Sequence, residues 1–103
     1  MWVVAVYDCP TTTAEARHDY SLFRNSLLRE NFVQLQKSVY VRHYATMAKA
    51  EAVIARLSRG IPTDAQVSFF LVTDKQYGLT REFFGPRGTE SRPDLPEQIG
   101  LFV

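Results

Sequence analysis

The sequence has 103 residues, of which 46% are hydrophobic and 22% are charged, and its formal net charge is +1. This length and composition predict one globular domain and argue against disorder of the whole chain. The single cysteine, Cys9, excludes an internal disulfide and a cysteine-based zinc site. No apolar run approaches the roughly 20 residues that a membrane span needs, so we expect a cytoplasmic protein with no membrane partner.

The first predicted element is a strand over residues 2–7, an almost continuous apolar run of the kind found in central strands. Asp8, Cys9 and Pro10 follow it. Pro10 lacks an N–H and disfavours helical angles at Cys9, so the strand should end near Asp8. The sequence therefore places a carboxylate at the tip of a central strand, where it is held rigidly but can be reached by solvent.

Two amphipathic helices are predicted. The first begins at a candidate capping box, Thr12 with Glu15 three residues later. Its apolar stripe consists of Ala16, Tyr20, Phe23 and Leu27. The second helix spans about residues 46–59 and ends before Gly60.

Alternation of apolar and polar residues predicts further strands. Residues 32–43 alternate with a break near Gln36 and Lys37, which favours two strand pieces joined by a turn, bulge or register change. One face of these pieces carries Val33, Leu35, Val39 and Val41, and the other carries Gln34, Gln36, Ser38, Tyr40 and Arg42. Residues 65–73 predict a fourth strand, with Phe70 and Val72 on the face opposite Phe69.

The resulting order, βαββαβ, is typical of an α+β ferredoxin-like sandwich, in which both helices cover one face of an antiparallel sheet. We assign residues 1–84 to this domain, including an additional short strand near Arg81 to Phe84, and residues 85–103 to a Pro- and Gly-rich tail. The uncovered face would present apolar side chains, as interfaces do. We therefore predict a homodimer through the open sheet faces, with Tyr40, Phe70 and Val72 in the interface.

These elements carry three segments that resemble the small CRISPR-associated adaptation protein, the second of the two universal spacer-acquisition proteins. The segments are VVAVYD, LQKSVYVR and SFFLVTDKQYG leading into REFFG, and the last is most similar to versions from type II systems. The resemblance covers about residues 1–84. It implies a dimer at the centre of the spacer-integration complex, which bridges dimers of the CRISPR integrase subunit and holds double-stranded spacer DNA.

The resemblance also implies a role for Asp8 as the Mg²⁺ ligand and catalytic group of an endonuclease acting on RNA or DNA. Two copies of Asp8 that approach each other across a dimer axis would repel unless a proton or cation lies between them. Mg²⁺ needs only one or two carboxylates in addition to a substrate phosphate. The alternative is that Asp8 accepts backbone N–H bonds and shapes the turn before Pro10.

Contact with DNA would need several basic residues on one accessible surface. The candidates for nucleic-acid binding are Arg17, Arg24, Lys37 and Arg42, each of which a dimer would double. No aromatic stacking platform or recognition helix is evident, so we expect contact with the backbone and little reading of bases.

Apolar residues at the end of the predicted domain and in the tail indicate where a protein partner would dock. The candidates for contact with the integrase are Phe83, Phe84, Leu101 and Phe102. The sequence therefore leaves three alternative functions. They are a DNA-holding scaffold of CRISPR adaptation, a Mg²⁺-dependent phosphodiesterase at paired Asp8 residues, and a ferredoxin-like regulatory module that binds a small ligand or a protein.

Overall fold

The computed structural model describes residues 1–86, which form a four-stranded sheet with helices. The elements are β1 (Trp2–Asp8), α1 (Ala14–Arg29), β2 (Val33–Gln36), β3 (Val39–His43), α2 (Met47–Ser58), β4 (Gln66–Val72) and α3 (Asp74–Gly78). The strand order is β2-β3-β1-β4, and every neighbouring pair is antiparallel. This arrangement confirms the predicted α+β class and the βαββαβ order, while β4 lies at the edge of the sheet.

The main core lies between the sheet and the two longer helices. From β1 it takes alternate residues, because successive side chains of a strand point to opposite faces. Its members on the three elements are Val3, Ala5 and Tyr7 from β1, Phe23 and Leu27 from α1, and Ala50, Val53 and Leu57 from α2. The predicted stripe of α1 is thus confirmed at its two buried positions, Phe23 and Leu27.

Both helices begin at a threonine whose side chain accepts a backbone N–H. Thr13, one residue later than predicted, is the N-cap of α1 and accepts from Ala16 N at 3.0 Å. The predicted capping box of Thr12 and Glu15 is therefore wrong, because the residue three positions after the actual cap is Ala16, whose side chain cannot complete a box. Thr46 caps α2 and accepts from Lys49 N at 3.2 Å. Caps of this kind satisfy N–H groups that have no partner within the helix.

The sequence predicted that the second face of the sheet is uncovered, but in the structure this face is partly covered. A smaller cluster of buried residues lies there, formed by Trp2, Leu35, Val41 and Tyr77. Tyr77 belongs to α3, and its ring stacks on Trp2 with centroids 4.0 Å apart and planes at 14°. The short helix α3 therefore covers the end of this face where β1 begins, and leaves the end near Asp8 uncovered.

The predicted placement of Tyr40 on the open face is wrong. Tyr40 is opposite Ala5 in the register between β3 and β1, so both side chains lie on the helix side, and Tyr40 is 0% exposed. The small Ala5 side chain leaves room for the large ring. Arg24 of α1 donates a hydrogen bond to the buried hydroxyl. Val39 and Val41 consequently lie on the opposite face.

The irregularity predicted between the second and third strands is confirmed. β2 and β3 are separate strands, and their register shifts between Gln34 and Gln36. The predicted fifth strand at Arg81 to Phe84 is not formed, because these residues do not join the sheet in this chain. Within residues 1–86, no helix combines the length and apolar character needed to cross a bilayer.

Candidate functional site at the tip of β1

Asp8 is the last residue of β1, is exposed, and is opposite Gln66 at the start of β4. By the alternation of the strand, it lies on the same face as Val4 and Val6 and opposite the helices. The carboxylate is therefore presented at the rim of the uncovered sheet face. This position agrees with the strand tip predicted from the sequence.

An apolar surface adjoins Asp8 on this face, and we refer to Val4, Val6 and Phe70 as the bare face. Val4 is partly buried and joins this surface to the cluster around Trp2. Phe70 is opposite Val4 in the register and is 54% exposed, while Ser68 is opposite Val6. Val72, the other predicted interface residue on β4, is half-buried and packs against the cluster around Trp2. A large aromatic side chain exposed beside other apolar residues is a feature of interaction surfaces.

The residues that flank Asp8 in the chain are not placed for chemistry. Tyr7 points to the helix side and belongs to the main core, where burial raises the pKa of its hydroxyl. Cys9 is half-buried, and its thiol pKa is raised, mainly by burial and further by the charge of Asp8. A thiol with a raised pKa is a poor nucleophile, so Asp8 stays the candidate site residue at this tip.

A cleft of about 280 Å³ opens behind the tip, between the start of α1 and the loop before β4. Its lining residues are Cys9, Pro10, Thr13, Glu15, Ala16, Asp19, Pro62, Thr63 and Asp64. Three of them are acids and none is basic, so the cleft disfavours anions such as phosphate.

The described part of a single chain does not provide a complete metal site. Within residues 1–86, no group of three or more His, Cys, Asp or Glu side chains is arranged to hold a metal ion. Asp8 alone supplies one hard oxygen ligand, which suits Mg²⁺ only if a second carboxylate or a substrate phosphate joins it. A second copy of Asp8 across a dimer axis would be such a group.

The four basic residues predicted to bind nucleic acid fall into two pairs. Arg17 and Lys37 are exposed, and Arg17 donates from Nη1 to the carbonyl of Thr11 at 3.1 Å, which holds it beside the loop that follows Asp8. Lys37 lies in the turn between β2 and β3. These two remain available to a ligand on the surface.

Arg24 and Arg42 are instead engaged within the fold. Arg24 Nε donates to Tyr40 Oη at 2.9 Å. Arg42 Nη1 donates to the carbonyl of Glu30, and its guanidinium lies 4.6 Å from the centre of the Tyr44 ring. Tyr40 and Arg42 share one face of β3, and this face lies on the helix side. Arg42 and Arg24, the partner of Tyr40, are therefore engaged on the helix side. Alternation alone had assigned this face of β3 to the open side.

The candidate docking residues are only partly within the described region. Phe83 is 88% exposed and Phe84 is 37% exposed. Leu101 and Phe102 lie outside residues 1–86. The sequence reasoning also missed a group of arginines where α1 and α2 end, although an arginine in the last turn of each helix was a visible signal.

Comparisons with known proteins agree with this architecture. The family model for CRISPR associated protein Cas2 matches residues 1–79. The CRISPR-associated endoribonuclease Cas2 of Parvibaculum lavamentivorans is 37% identical over 102 residues, covering 99% of this chain and 100% of that protein. The protein of the same name from Flavobacterium psychrophilum is 33% identical over 103 residues, covering 99% and 88%.

Among solved structures, the crystal structure of Streptococcus pyogenes Cas2 at pH 6.5 matches with a TM-score of 0.58 and 23% identity. The match covers 81% of this chain and 100% of that chain, and it shows a shared ferredoxin-like fold. The fold and the extent of the family match together establish that this chain belongs to the CRISPR-associated Cas2 family.

Proposed function

We propose that this protein is a homodimeric subunit of CRISPR adaptation that holds spacer DNA by its backbone and bridges integrase dimers. The observation that carries the proposal is the bare face beside Asp8, in a chain that belongs to the Cas2 family. Phe70 is more than half exposed there, at the centre of a strand pair rather than in a loop. A second copy packed on this face would remove it from water.

The proposed dimer gains its stability from apolar burial. Full burial of an exposed Phe side chain contributes roughly 1.5–3 kcal/mol. Phe70 is 54% exposed, so covering it contributes about half of that, and two-fold symmetry counts the contact twice. Asp8 lies on the same face as Phe70, at the end of the sheet that α3 leaves uncovered. A two-fold axis through this region would therefore bring two carboxylates towards each other. The same symmetry doubles the exposed cations Arg17 and Lys37.

The DNA-holding role depends on these cations rather than on the net charge of +1. Arg17 and Lys37 are exposed, and phosphate contacts by Arg and Lys position a duplex without reading its sequence. Binding by such contacts weakens linearly, on logarithmic axes, as salt is raised. The docking segment for the integrase is proposed to include Phe83, whose ring is 88% exposed.

Three measurements on the full chain test this proposal together. Sedimentation at increasing concentration should show a dimer, co-purification should retain the integrase subunit, and duplex DNA should bind with an affinity that falls as salt rises. Removal of residues 86–103 should weaken integrase binding if the docking segment continues beyond Phe84. A monomer that lacks salt-dependent duplex binding, alone or with the integrase, would instead favour a regulatory binding module.

A second function, Mg²⁺-dependent endonuclease activity on RNA or DNA, is favoured by the exposure of Asp8 beside the bare face. The relatives from Parvibaculum lavamentivorans and Flavobacterium psychrophilum are named endoribonucleases. Two Asp8 carboxylates would hold the ion between them and leave the remaining positions to water and a substrate phosphate. When bound, Mg²⁺ polarises a phosphodiester and lowers the pKa of a coordinated water.

Asp8→Asn separates the two functions, because it removes the charge and keeps the shape of the side chain. The matched control is Asp64→Asn, which removes an exposed carboxylate from the loop before β4. If spacer acquisition in cells survives Asp8→Asn, the scaffold role suffices. Loss of acquisition while the complex with the integrase still assembles would favour chemistry at Asp8.

A further inference from the structure

A second cationic surface lies where α1 and α2 end next to each other, away from the residues that the sequence singled out. A cleft of about 350 Å³ opens there, and we call it the helix-end cleft. Its lining residues are Ser26, Arg29, Glu30, Arg56, Leu57 and Gly60. Arg59 stands in the chain between Leu57 and Gly60, as the C-cap of α2.

The only acid that lines the helix-end cleft is already occupied. Glu30 accepts two hydrogen bonds from Arg56, from Nε at 2.9 Å and from Nη2 at 3.1 Å. These bonds lower the pKa of Glu30, so it remains a carboxylate. Arg42 also donates to the Glu30 carbonyl from the sheet side. Arg29 also lines the cleft and adds a further guanidinium group to it.

Arg29, which lines the cleft, and Arg59, which precedes the lining residue Gly60 in the chain, have side-chain donors that are not used. Both are exposed, and within residues 1–86 neither side chain makes a hydrogen bond or an ion pair. A cation in the last turn of a helix is favoured by the helix dipole, which accounts for Arg29 in α1 and Arg56 in α2. This effect does not account for Arg59, which follows the last turn of α2, or for Arg42, which lies on β3.

The chemistry of the cleft fits a phosphate group better than a protein side chain. Its one large apolar lining residue, Leu57, is 4% exposed and packs in the main core, so the cleft offers no apolar anchor. Protein interfaces rely on such anchors. Guanidinium groups match the geometry of phosphate oxygens and can donate two parallel bonds to them.

We propose that the helix-end cleft is a second contact surface for the sugar-phosphate backbone of duplex DNA, with Arg29 and Arg59 as the phosphate-binding residues. Arg56 is a positioning residue, because it neutralises Glu30 and keeps the carboxylate away from the ligand. This inference rests on the proposed function in duplex binding and adds a surface distinct from Arg17 and Lys37. A dimer would carry two such surfaces.

The first test is a salt titration of random-sequence duplex DNA on the full-length protein and on Arg29→Ala/Arg59→Ala. Each phosphate contact contributes about 0.9 to the slope of log K against log salt, so the double variant should reduce the slope by about 2. The matched control is Lys49→Ala/Lys75→Ala, which removes the same charge from exposed positions on α2 and α3. It should leave the slope close to that of the wild type.

The second test places charge in the cleft without removing an arginine. A Cβ on Gly60 would meet only the Leu57 carbonyl oxygen, at 3.9 Å, so side chains are tolerated there. Gly60→Glu should weaken duplex binding about tenfold at moderate salt, whereas the neutral Gly60→Gln should bind like the wild type.

Equal binding by the arginine double variant and its lysine control, or by Gly60→Glu and Gly60→Gln, would overturn this inference and leave the proposed function intact. Failure of the wild type itself to bind the duplex would instead defeat the proposed function, and this inference with it.

Discussion

Arg24 on α1 donates from Nε to the hydroxyl of Tyr40 on β3 at 2.9 Å, a hydrogen bond that joins helix and sheet. Tyr40 is 0% exposed, so its hydroxyl depends on this donor. The tyrosine hydroxyl accepts from a charged group, and the contact raises the pKa of the Arg24 guanidinium. Arg24 therefore has a structural role, whereas the sequence had indicated it only as a candidate for nucleic-acid binding.

Loss of this donor should destabilise the fold. Arg24→Met keeps the aliphatic stem but leaves the buried hydroxyl without a partner, which costs about 1–3 kcal/mol. Tyr40→Phe removes the hydroxyl instead, and because Arg24 is only half-buried it can turn to water, so a smaller loss is expected. Urea unfolding measures both. Arg17→Met is the surface control, and equal losses for Arg24→Met and Arg17→Met would contradict this assignment.

The ion pair between Glu30 and Arg56 should make stability depend on pH. Hydrogen bonds from Arg56 lower the pKa of Glu30 below its ordinary value of 4.5. A carboxyl whose folded pKa is depressed stabilises the fold above its unfolded pKa and loses that contribution as the pH falls through the folded pKa. Glu30→Gln should therefore lower the urea midpoint near pH 7 and narrow the difference from the wild type at about pH 3. A difference that stays constant over this range would argue against the pair.

The stacking of Tyr77 on Trp2 can be followed directly, because Trp2 is the only tryptophan in the sequence. Tyr77→Ala removes the ring that covers Trp2, so its fluorescence should shift to longer wavelength and the free energy of unfolding should fall by about 3 kcal/mol. Tyr77→Phe is the matched control. It removes a buried hydroxyl that has no hydrogen-bond partner among residues 1–86, and should leave both measurements close to the wild type. Unchanged emission in Tyr77→Ala would refute the stack.

The bare face gives a prediction about assembly. Phe70→Asp places a charge at the centre of the proposed interface, and burial of two unpaired carboxylates across a two-fold axis is strongly unfavourable. The variant should sediment as a monomer at concentrations where the wild type is a dimer. Leu22→Asp, which changes an exposed leucine on α1, should leave the dimer intact. Dimerisation of Phe70→Asp at wild-type concentrations would place the interface elsewhere.

The order of elements could be predicted well where the hydrophobic period agrees with a residue that ends the element, as for β1 before Pro10 and α2 before Gly60. The prediction failed at β3, because both faces of VYVRH carry large apolar side chains and alternation cannot say which face meets the helices. The register decides this question: Tyr40 is opposite Ala5, and Ala5 lies in the main core. That pairing depends on contacts distant in the sequence.

The helix α3 was also missed, because no predicted element covers its five residues. A local signal was present. Thr73 and Gln76 form a complete capping box, in which Thr73 Oγ1 accepts from Gln76 N at 3.1 Å and Gln76 Oε1 accepts from Thr73 N at 2.9 Å. So short a helix is not stable alone, and the packing of Tyr77 on Trp2, which stabilises it, could not be derived from its own sequence.

The prediction of a fifth strand illustrates a different limit. Residues 81–84 have the composition of a strand, but a strand needs a neighbour to complete its hydrogen bonds, and among residues 1–86 the sheet ends at β4. The role of Asp8, the metal and the docking segment stay predictions for a related reason. Each depends on a second molecule, whose contacts one chain cannot specify.

The position of β4 has a consequence for the protein before it meets any partner. Among residues 1–86, this strand pairs on one side only, and its sequence QVSFFLV is apolar and carries no charged residue, lysine or proline to block its free side. Unprotected edges of this kind recruit strands from other chains and promote fibrous aggregates. Overproduction of the chain by itself therefore carries a risk of precipitation, which a charged substitution at exposed Gln66 would reduce.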